Sequence, residues 1–269
     1  SRLGAFVADL RLSDVPADVQ ESARLRILDM LGNILAAQDE HGPQVLRESV
    51  VEWAGKHEAS LIGSGHRVPA VNAALANGTF GHAQDFDDTH HASRIHASTV
   101  AVPAALAAAE AVGADGAQTL LSVIAGLEVS VRVGMVAPGR FHERGLHATS
   151  LCGVFGAAGA AAKLHGLDAQ ATSRALGIAG SFASGLREAY LGEPTDTKAL
   201  HAGWAAQAGI MAATLAAKGF TGPTTVFEGR FGFFNAFVAP DEYQVETLTA
   251  DLGERWYTPE IVFKLYPCG

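Results

Sequence analysis

Ser150-Leu151-Cys152-Gly153-Val154-Phe155-Gly156-Ala157-Ala158-Gly159-Ala160-Ala161-Ala162-Lys163-Leu164-His165 is a long run of small and apolar residues. It reads as a helix whose alanines and glycines let a neighbouring backbone come close. The pattern recurs on both sides of it. Residues 103–112, 117–135, 168–184 and 198–218 are further helical segments, joined by short Gly- or Asp-bearing connections. Upstream, Ser13 and Asp14 are cap candidates and Pro16 follows in the first turn, which is a helix start signal. Val19, Ala23, Ile27, Met30, Leu31, Ile34 and Leu35 then recur at helical spacing. Residues 44–56 form a second amphipathic stretch with Val45, Val50, Val51 and Trp53, and residues 69–82 read as another helix. Only Ser60-Leu61-Ile62-Gly63-Ser64-Gly65 looks like a strand or an extended crossing. No internal repeat or low-complexity linker interrupts the series. The predicted fold is mostly α, a many-helix bundle with negligible sheet.

The chain has 269 residues, 48 % hydrophobic and 17 % charged, a globular composition able to bury a sizeable core. Its net charge of −9 argues against a nucleic-acid partner, because phosphate binding needs a surplus of Lys and Arg. A small anionic substrate stays open, since a few local cations override the global sign. Two cysteines, Cys152 and Cys268, make neither a disulfide framework nor a zinc site. The start, Ser1-Arg2-Leu3-Gly4, does not look like a signal peptide, and the apolar runs are interrupted before they span a bilayer. The expectation is a cytoplasmic protein with no membrane partner.

Chemistry concentrates in His82-Ala83-Gln84-Asp85-Phe86-Asp87-Asp88-Thr89-His90-His91-Ala92-Ser93-Arg94-Ile95-His96, which packs three carboxylates, four histidines and an arginine together. On one ideal helix Asp85, Asp88 and Thr89 would share a face and Asp87 would point elsewhere. Crowded carboxylates and imidazoles shift one another's proton affinity towards the range useful for proton transfer. The bland alternative is a solvated, capped helix end. Phe86 among the acids and the apolar helices on either side favour function. Asp85-Phe86-Asp87-Asp88 also fits the DxDD pattern of class II terpene cyclases, but the chain is poor in the aromatics that stabilise carbocations. His142-Glu143 before His147 looks like a zincin motif, yet the histidines are five apart and fall on different helix faces. Acids and histidines can also bind a divalent metal, though nothing in the spacing fixes a ligand set. No metal or cofactor is therefore expected.

Two further clusters stand beside loops dense in Gly, Pro and charge (136–147 and 186–197), where sites tend to be built. In Arg144-Gly145-Leu146-His147-Ala148-Thr149-Ser150, His147 stands at the start of the small-residue helix, as a base or as a cap. In Pro194-Thr195-Asp196-Thr197-Lys198-Ala199-Leu200-His201, Lys198 opens an apolar helix; it is either a snorkelling surface residue or an anion clamp, and on its own pattern it reads as the snorkelling one. Lys264, in Val262-Phe263-Lys264-Leu265-Tyr266, poses the same choice. The phenylalanines of residues 223–237 read as a packing wedge.

Taken together these blocks resemble a known family. Residues 69–89, with Asn77-Gly78-Thr79 and the acidic motif, resemble the signature helix of the MmgE/PrpD family. Arg144-Gly145-Leu146-His147, the helix 155–163 and Gly166-Leu167 are similar to its next block. Asp196-Thr197-Lys198-Ala199-Leu200-His201-Ala202-Gly203 is similar to its lysine-bearing block, and Phe263-Lys264-Leu265-Tyr266-Pro267-Cys268 to the end of the first half of its helical domain. The stretch 15–32 fits its opening helix. The family includes 2-methylcitrate dehydratase, cis-aconitate decarboxylase and iminodisuccinate epimerase, which act on small di- or tricarboxylates without an obligatory metal. The resemblance implies a lyase working by proton abstraction and loss of water or carbon dioxide, with an epimerase or a non-catalytic binding module as alternatives. It implies site roles for Asp85, Thr89, His96 and His147, with Lys198, Lys264 and Arg94 as substrate-binding cations. At His96 the spacing is one residue longer than the family's, and Ala97 replaces the usual proline. It also implies a homodimer. Residues 1–269 would be the helical domain without the α+β lid that family members carry.

Overall fold

The computed structural model describes residues 1–193 and 195–268. Pro194 and Gly269, which the sequence reading placed in the lysine-bearing cluster and at the chain end, lie outside the described residues. Twelve helices occur among those described: α1 (Arg2–Asp9), α2 (Ala17–Ala36), α3 (His41–Glu52), α4 (Ala70–His82), α5 (Ser98–Val112), α6 (Gly116–Met135), α7 (Arg140–Glu143), α8 (Ala148–Leu164), α9 (Ala169–Gly180), α10 (Glu188–Leu191), α11 (Thr197–Ala217) and α12 (Phe233–Phe237). The sheet is one antiparallel hairpin, β1 (Ala59–Ser60) with β2 (Arg67–Val68). The mostly α expectation therefore holds.

At the centre, α8 packs against α5, α6 and α11, and α11 also packs on α4. Small residues make this closeness possible. A Cβ on Gly203 of α11 would strike the Leu75 carbonyl and the Thr79 side chain of α4, and one on Gly156 of α8 would strike Ser130 and the Gly126 carbonyl of α6. Backbones in such contact bury area that larger side chains would hold apart.

Several boundaries differ from expectation. Helix α2 starts at Ala17 after Pro16, with no side-chain cap, because Leu12–Asp14 is used up in a 3-10 turn. Helix α1 was not foreseen; Ser1 caps it by accepting from the Gly4 N–H, and Leu3 and Val7 enter the core. Pro103 lies inside α5 rather than at its start. A proline there removes only one backbone bond, and the first turn is anchored by the Ser98 N–H on Asp88 Oδ1 at 3.2 Å. Helix α6 is long and apolar enough to cross a bilayer, contrary to the reading that every apolar run was broken, but most of it is buried against neighbouring helices. Phe227, Phe233 and Phe234 form the expected wedge against Phe155, whereas Phe231 is 86 % exposed.

Three buried charges tie the C-terminal strap, residues 250–262, to the bundle. Glu128 Oε1 accepts from the Tyr257 and Thr258 N–H groups, both at 2.8 Å. Arg132 donates to the Ala250 and Arg255 carbonyls at 2.7 and 2.6 Å. Arg26 donates to the Thr258 carbonyl at 3.2 Å and to the Ile261 carbonyl, and pairs with Asp88 at 2.8 Å. Buried charges persist only where they are paired and hydrogen-bonded in this way. The strap in turn sets the place of Lys264.

Candidate active site

Helix α4 ends at His82, so the acidic motif is not one helical face. Asp85 takes a left-handed conformation, φ 54°, which Asp tolerates better than most residues. That turn sends the motif's acids three ways. Asp88 goes inward to Arg26 and to Ser98, whose Oγ donates at 2.5 Å. Asp87, fully buried, accepts from His82 Nδ1 at 2.8 Å and lies 3.4 Å from His96 Nδ1. Asp85 faces the lysines. The expectation that Asp85, Asp88 and Thr89 share a face is thus overturned by the helix stop.

Thr89 pairs with the strap: its N–H donates to the Val262 carbonyl at 3.0 Å, and the Val262 N–H returns the bond at 2.9 Å. This pairing carries Lys264 to Asp85. Lys264 Nζ donates to Asp85 Oδ1 at 3.1 Å and to the Asp85 carbonyl at 2.8 Å. Lys198, in the first turn of α11, donates to Asp85 Oδ2 at 2.5 Å. The snorkelling reading of both lysines is replaced by a shared ion pair.

The histidines converge from separate elements. Thr89 Oγ1 is 3.2 Å from His96 Nδ1, so Asp87 and Thr89 hold one ring nitrogen of His96 and leave the other without a protein partner among the described residues. His147 stands at the N-cap of α8, but its side chain makes no cap bond. Its ring instead stacks on His82, centroids 5.6 Å apart, and its Nδ1 meets His201 Nδ1 at 3.0 Å. The His147 and His142 rings lie 6.3 Å apart, edge to face.

These groups wall a cavity of about 520 Å³, lined by Thr89, His96, His147, Lys198 and Lys264. Arg94, Arg187, Tyr190, His91 and His142 line it as well. Six of the seven site residues read from the sequence, Thr89, Arg94, His96, His147, Lys198 and Lys264, line one cleft. The seventh, Asp85, is not part of the lining and touches it only through the two lysines. Buried Asp87, stacked His82, His201 and the pair Arg187–Tyr190 had not been singled out. Arg187 Nε donates to Tyr190 Oη at 3.1 Å.

Electrostatics follow from burial and neighbours. Burial raises the Asp85 carboxyl, but Lys198 and then Lys264 outweigh it and hold Asp85 below the ordinary carboxylate value. Burial likewise raises Asp87, and its two histidine partners more than reverse it, so it is ionised. Burial pushes His96 down to about 4 against the pull of Asp87, and lowers His201 to about 4. His142 falls to about 4 by burial and the Arg187 charge. His147 is driven well below 6.5 by burial and by surrounding His82 and His201. Near neutral pH the site therefore presents His96, His142, His147 and His201 as neutral imidazoles among lysines and arginines, a setting that attracts an anion.

His82, Asp85, Asp87 and His96 bring one ligand atom each within 4.8 Å of one another, a group that resembles a metal site. The two ammonium groups already on Asp85 oppose a divalent cation there.

The model of the MmgE/PrpD N-terminal domain matches residues 1–246. The chain belongs to the MmgE/PrpD family. This MmgE/PrpD chain is 32 % identical over 276 residues to a cis-aconitate decarboxylase-like protein of Aspergillus oryzae, covering 98 % of this chain and 57 % of that protein. It is 29 % identical over 279 residues to the cis-aconitate decarboxylase of Aspergillus terreus, covering 100 % of this chain and 56 % of the relative. With the human cis-aconitate decarboxylase it shares 35 % identity over 213 residues, 75 % of this chain and 42 % of that one. The MmgE/PrpD chain spans about half the length of these relatives.

Proposed function

We propose that the full-length protein is a lyase that decarboxylates cis-aconitate or a close tricarboxylate, with residues 1–269 as its helical domain. The observation that carries the reading is the meeting of Lys198, Lys264, His96 and His147 on one cavity. The relatives' names support the substrate class.

The chemistry fits the groups. In cis-aconitate one carboxylate sits on the CH₂ carbon next to the double bond. When its C–C bond breaks, carbon dioxide leaves and the electron pair spreads through the allyl system onto a remaining carboxylate. A proton then adds at the far carbon. Lys198 and Lys264 would hold the remaining carboxylates and stabilise the spreading charge. Asp85 keeps the two ammonium groups together before substrate arrives. His147 would deliver the proton, and His96, fixed by Asp87 and Thr89, would orient or share that role. Arg94 would meet the outermost carboxylate.

A dehydratase or an epimerase is the second reading. It draws support from the His96 and His147 rings, 6.4 Å apart, which offer two proton-transfer groups to one substrate. Incubating the full-length protein with cis-aconitate, 2-methylcitrate and iminodisuccinate in deuterium oxide, with proton NMR, separates them. Carbon dioxide loss with one deuterium gained supports the decarboxylase, water loss from 2-methylcitrate supports the dehydratase, and deuterium gain without mass loss supports the epimerase. No change with any of the three substrates sinks all three readings. A homodimer belongs to the same proposal, supported by Leu25, Leu28 and Leu35 forming an exposed apolar stripe on α2, and a cytoplasmic location is proposed with it on the sequence reading alone. Sedimentation and cell fractionation test it.

A further inference from the structure

His201 joins two cavities. His147 lines the candidate active site, whereas His201, near the start of α11, lines a second cavity of about 680 Å³ beside Trp53, Leu186, Leu200 and Trp204. Trp53 and Leu186 are 58 % and 64 % exposed, so this second cavity opens to solvent. The two rings meet Nδ1 to Nδ1 at 3.0 Å, a hydrogen-bond distance. Neither Nε2 has a protein partner among the described residues. His147 itself is only 2 % exposed, and a substrate filling the first cavity would cut it off from water.

The inference rests on the lyase reading, because decarboxylation replaces a C–C bond by a C–H bond and draws one proton per turnover. We propose that His147 and His201 form a proton relay that supplies the substrate-filled active site from the second cavity.

The balance is simple. Neutral His147 carries its proton on Nε2 and accepts at Nδ1 from His201 Nδ1–H. Its Nε2 proton passes to the carbanion carbon while Nδ1 takes the proton of His201. His201 takes a proton at Nε2 from a hydronium ion or buffer acid in the second cavity. Both rings end neutral, one proton has reached carbon, and carbon dioxide has left. After product departs, water in the first cavity lets the hops reverse and restores the tautomers. The path avoids an imidazolium, which burial opposes at both rings. The charged and titratable groups facing the pair are His82 from α4, His96, His142, Tyr190 from α10 and Lys198 from α11. His201 is on this account a positioning and relay residue, since His147 is the one that touches substrate.

The test uses the full-length protein and cis-aconitate. In H201N the amide can still donate to His147 but passes no proton onward. In H201A added imidazole can enter the gap from the second cavity. The expected result for H201N is a kcat lower by about tenfold or more, a KM within about twofold of wild type and a larger solvent deuterium isotope effect. H201A should regain rate with imidazole. Wild-type kinetics in H201N overturn the relay. So does a lower kcat with an unchanged isotope effect and no imidazole rescue, which marks a structural role. A wild type inert towards cis-aconitate contradicts the lyase reading instead. The relay is then judged by nitrogen-15 histidine NMR of the same protein. With a saturated tricarboxylate filling the first cavity, exchange of the His147 ring proton with water should be about tenfold slower in H201N, and equal exchange overturns it.

Discussion

Lys198 Nζ lies 2.5 Å from Asp85 Oδ2, although the two residues are 113 positions apart in sequence. Lys264 reaches the other oxygen of the same carboxylate at 3.1 Å. One acid thus gathers two cations from separate segments, the first turn of α11 and the extended chain after the strap. Asp85→Asn should scatter them and reduce kcat/KM by about tenfold or more, mostly through KM. Steady-state kinetics with cis-aconitate check this, and a loss confined to kcat would assign Asp85 to the chemical step.

Lys198→Ala and His147→Ala should separate binding from chemistry. The lysine variant should raise KM by about tenfold with a smaller change in kcat. The histidine variant should lower kcat by about 10²- to 10⁴-fold, the usual scale of general acid–base catalysis. Both variants behaving as wild type would remove these assignments.

Arg26→Ala should unfold the site from behind. The Arg26–Asp88 pair is buried on both sides, and Arg26 also holds the carbonyls of Thr258 and Ile261. Leaving Asp88 unpaired should cost about 3–5 kcal/mol. The strap would loosen, so KM should rise too. Denaturant unfolding and kinetics measure both, and a stable variant with a normal KM would show that the strap is held elsewhere.

Much of the bundle was legible because its helices obey simple spacing. Residues 150–165 and 198–218 carry small residues on nearly every face, and the structure places both at the centre. The short α1 escaped because its burial depends on α8 and α9, far along the chain. The lysines were recognised by resemblance, but spacing alone favoured a solvent role, since nothing local reveals that Asp85 waits opposite. The acidic motif misled in a different way. A helical face was assumed, yet α4 stops at His82 and the left-handed Asp85 redirects the chain. Asp87, expected to point away from the other acids, turned out to be the buried partner of two histidines. His201 lies three residues after Lys198, but no spacing ties it to His147, because only the fold brings the two rings together.

Stability should fall on mild acidification. His96 has its proton affinity lowered by burial from 6.5 to about 4 in the folded state. The unfolded chain therefore binds the proton first. The His96 contribution is complete above about pH 6.5 and is lost between there and about pH 4, by about 3 kcal/mol. Asp87, depressed below the ordinary carboxylate value, removes further stability at lower pH still. Denaturant midpoints at pH 7.5 and 5 should differ in wild type and differ less in His96→Gln. Equal midpoints in wild type would contradict the buried neutral imidazole.

The central claim is that a polycarboxylate occupies the cleft between Lys198, Lys264 and His147. A crystal structure of the full-length protein with tricarballylate, a saturated analogue of cis-aconitate, tests it most directly. The account predicts carboxylate oxygens within hydrogen-bond distance, about 3 Å, of both lysine Nζ atoms and a methylene carbon facing the His147 ring. Tricarballylate bound elsewhere, with Lys198 and Lys264 still closed on Asp85 and the cleft free of ligand, would contradict it.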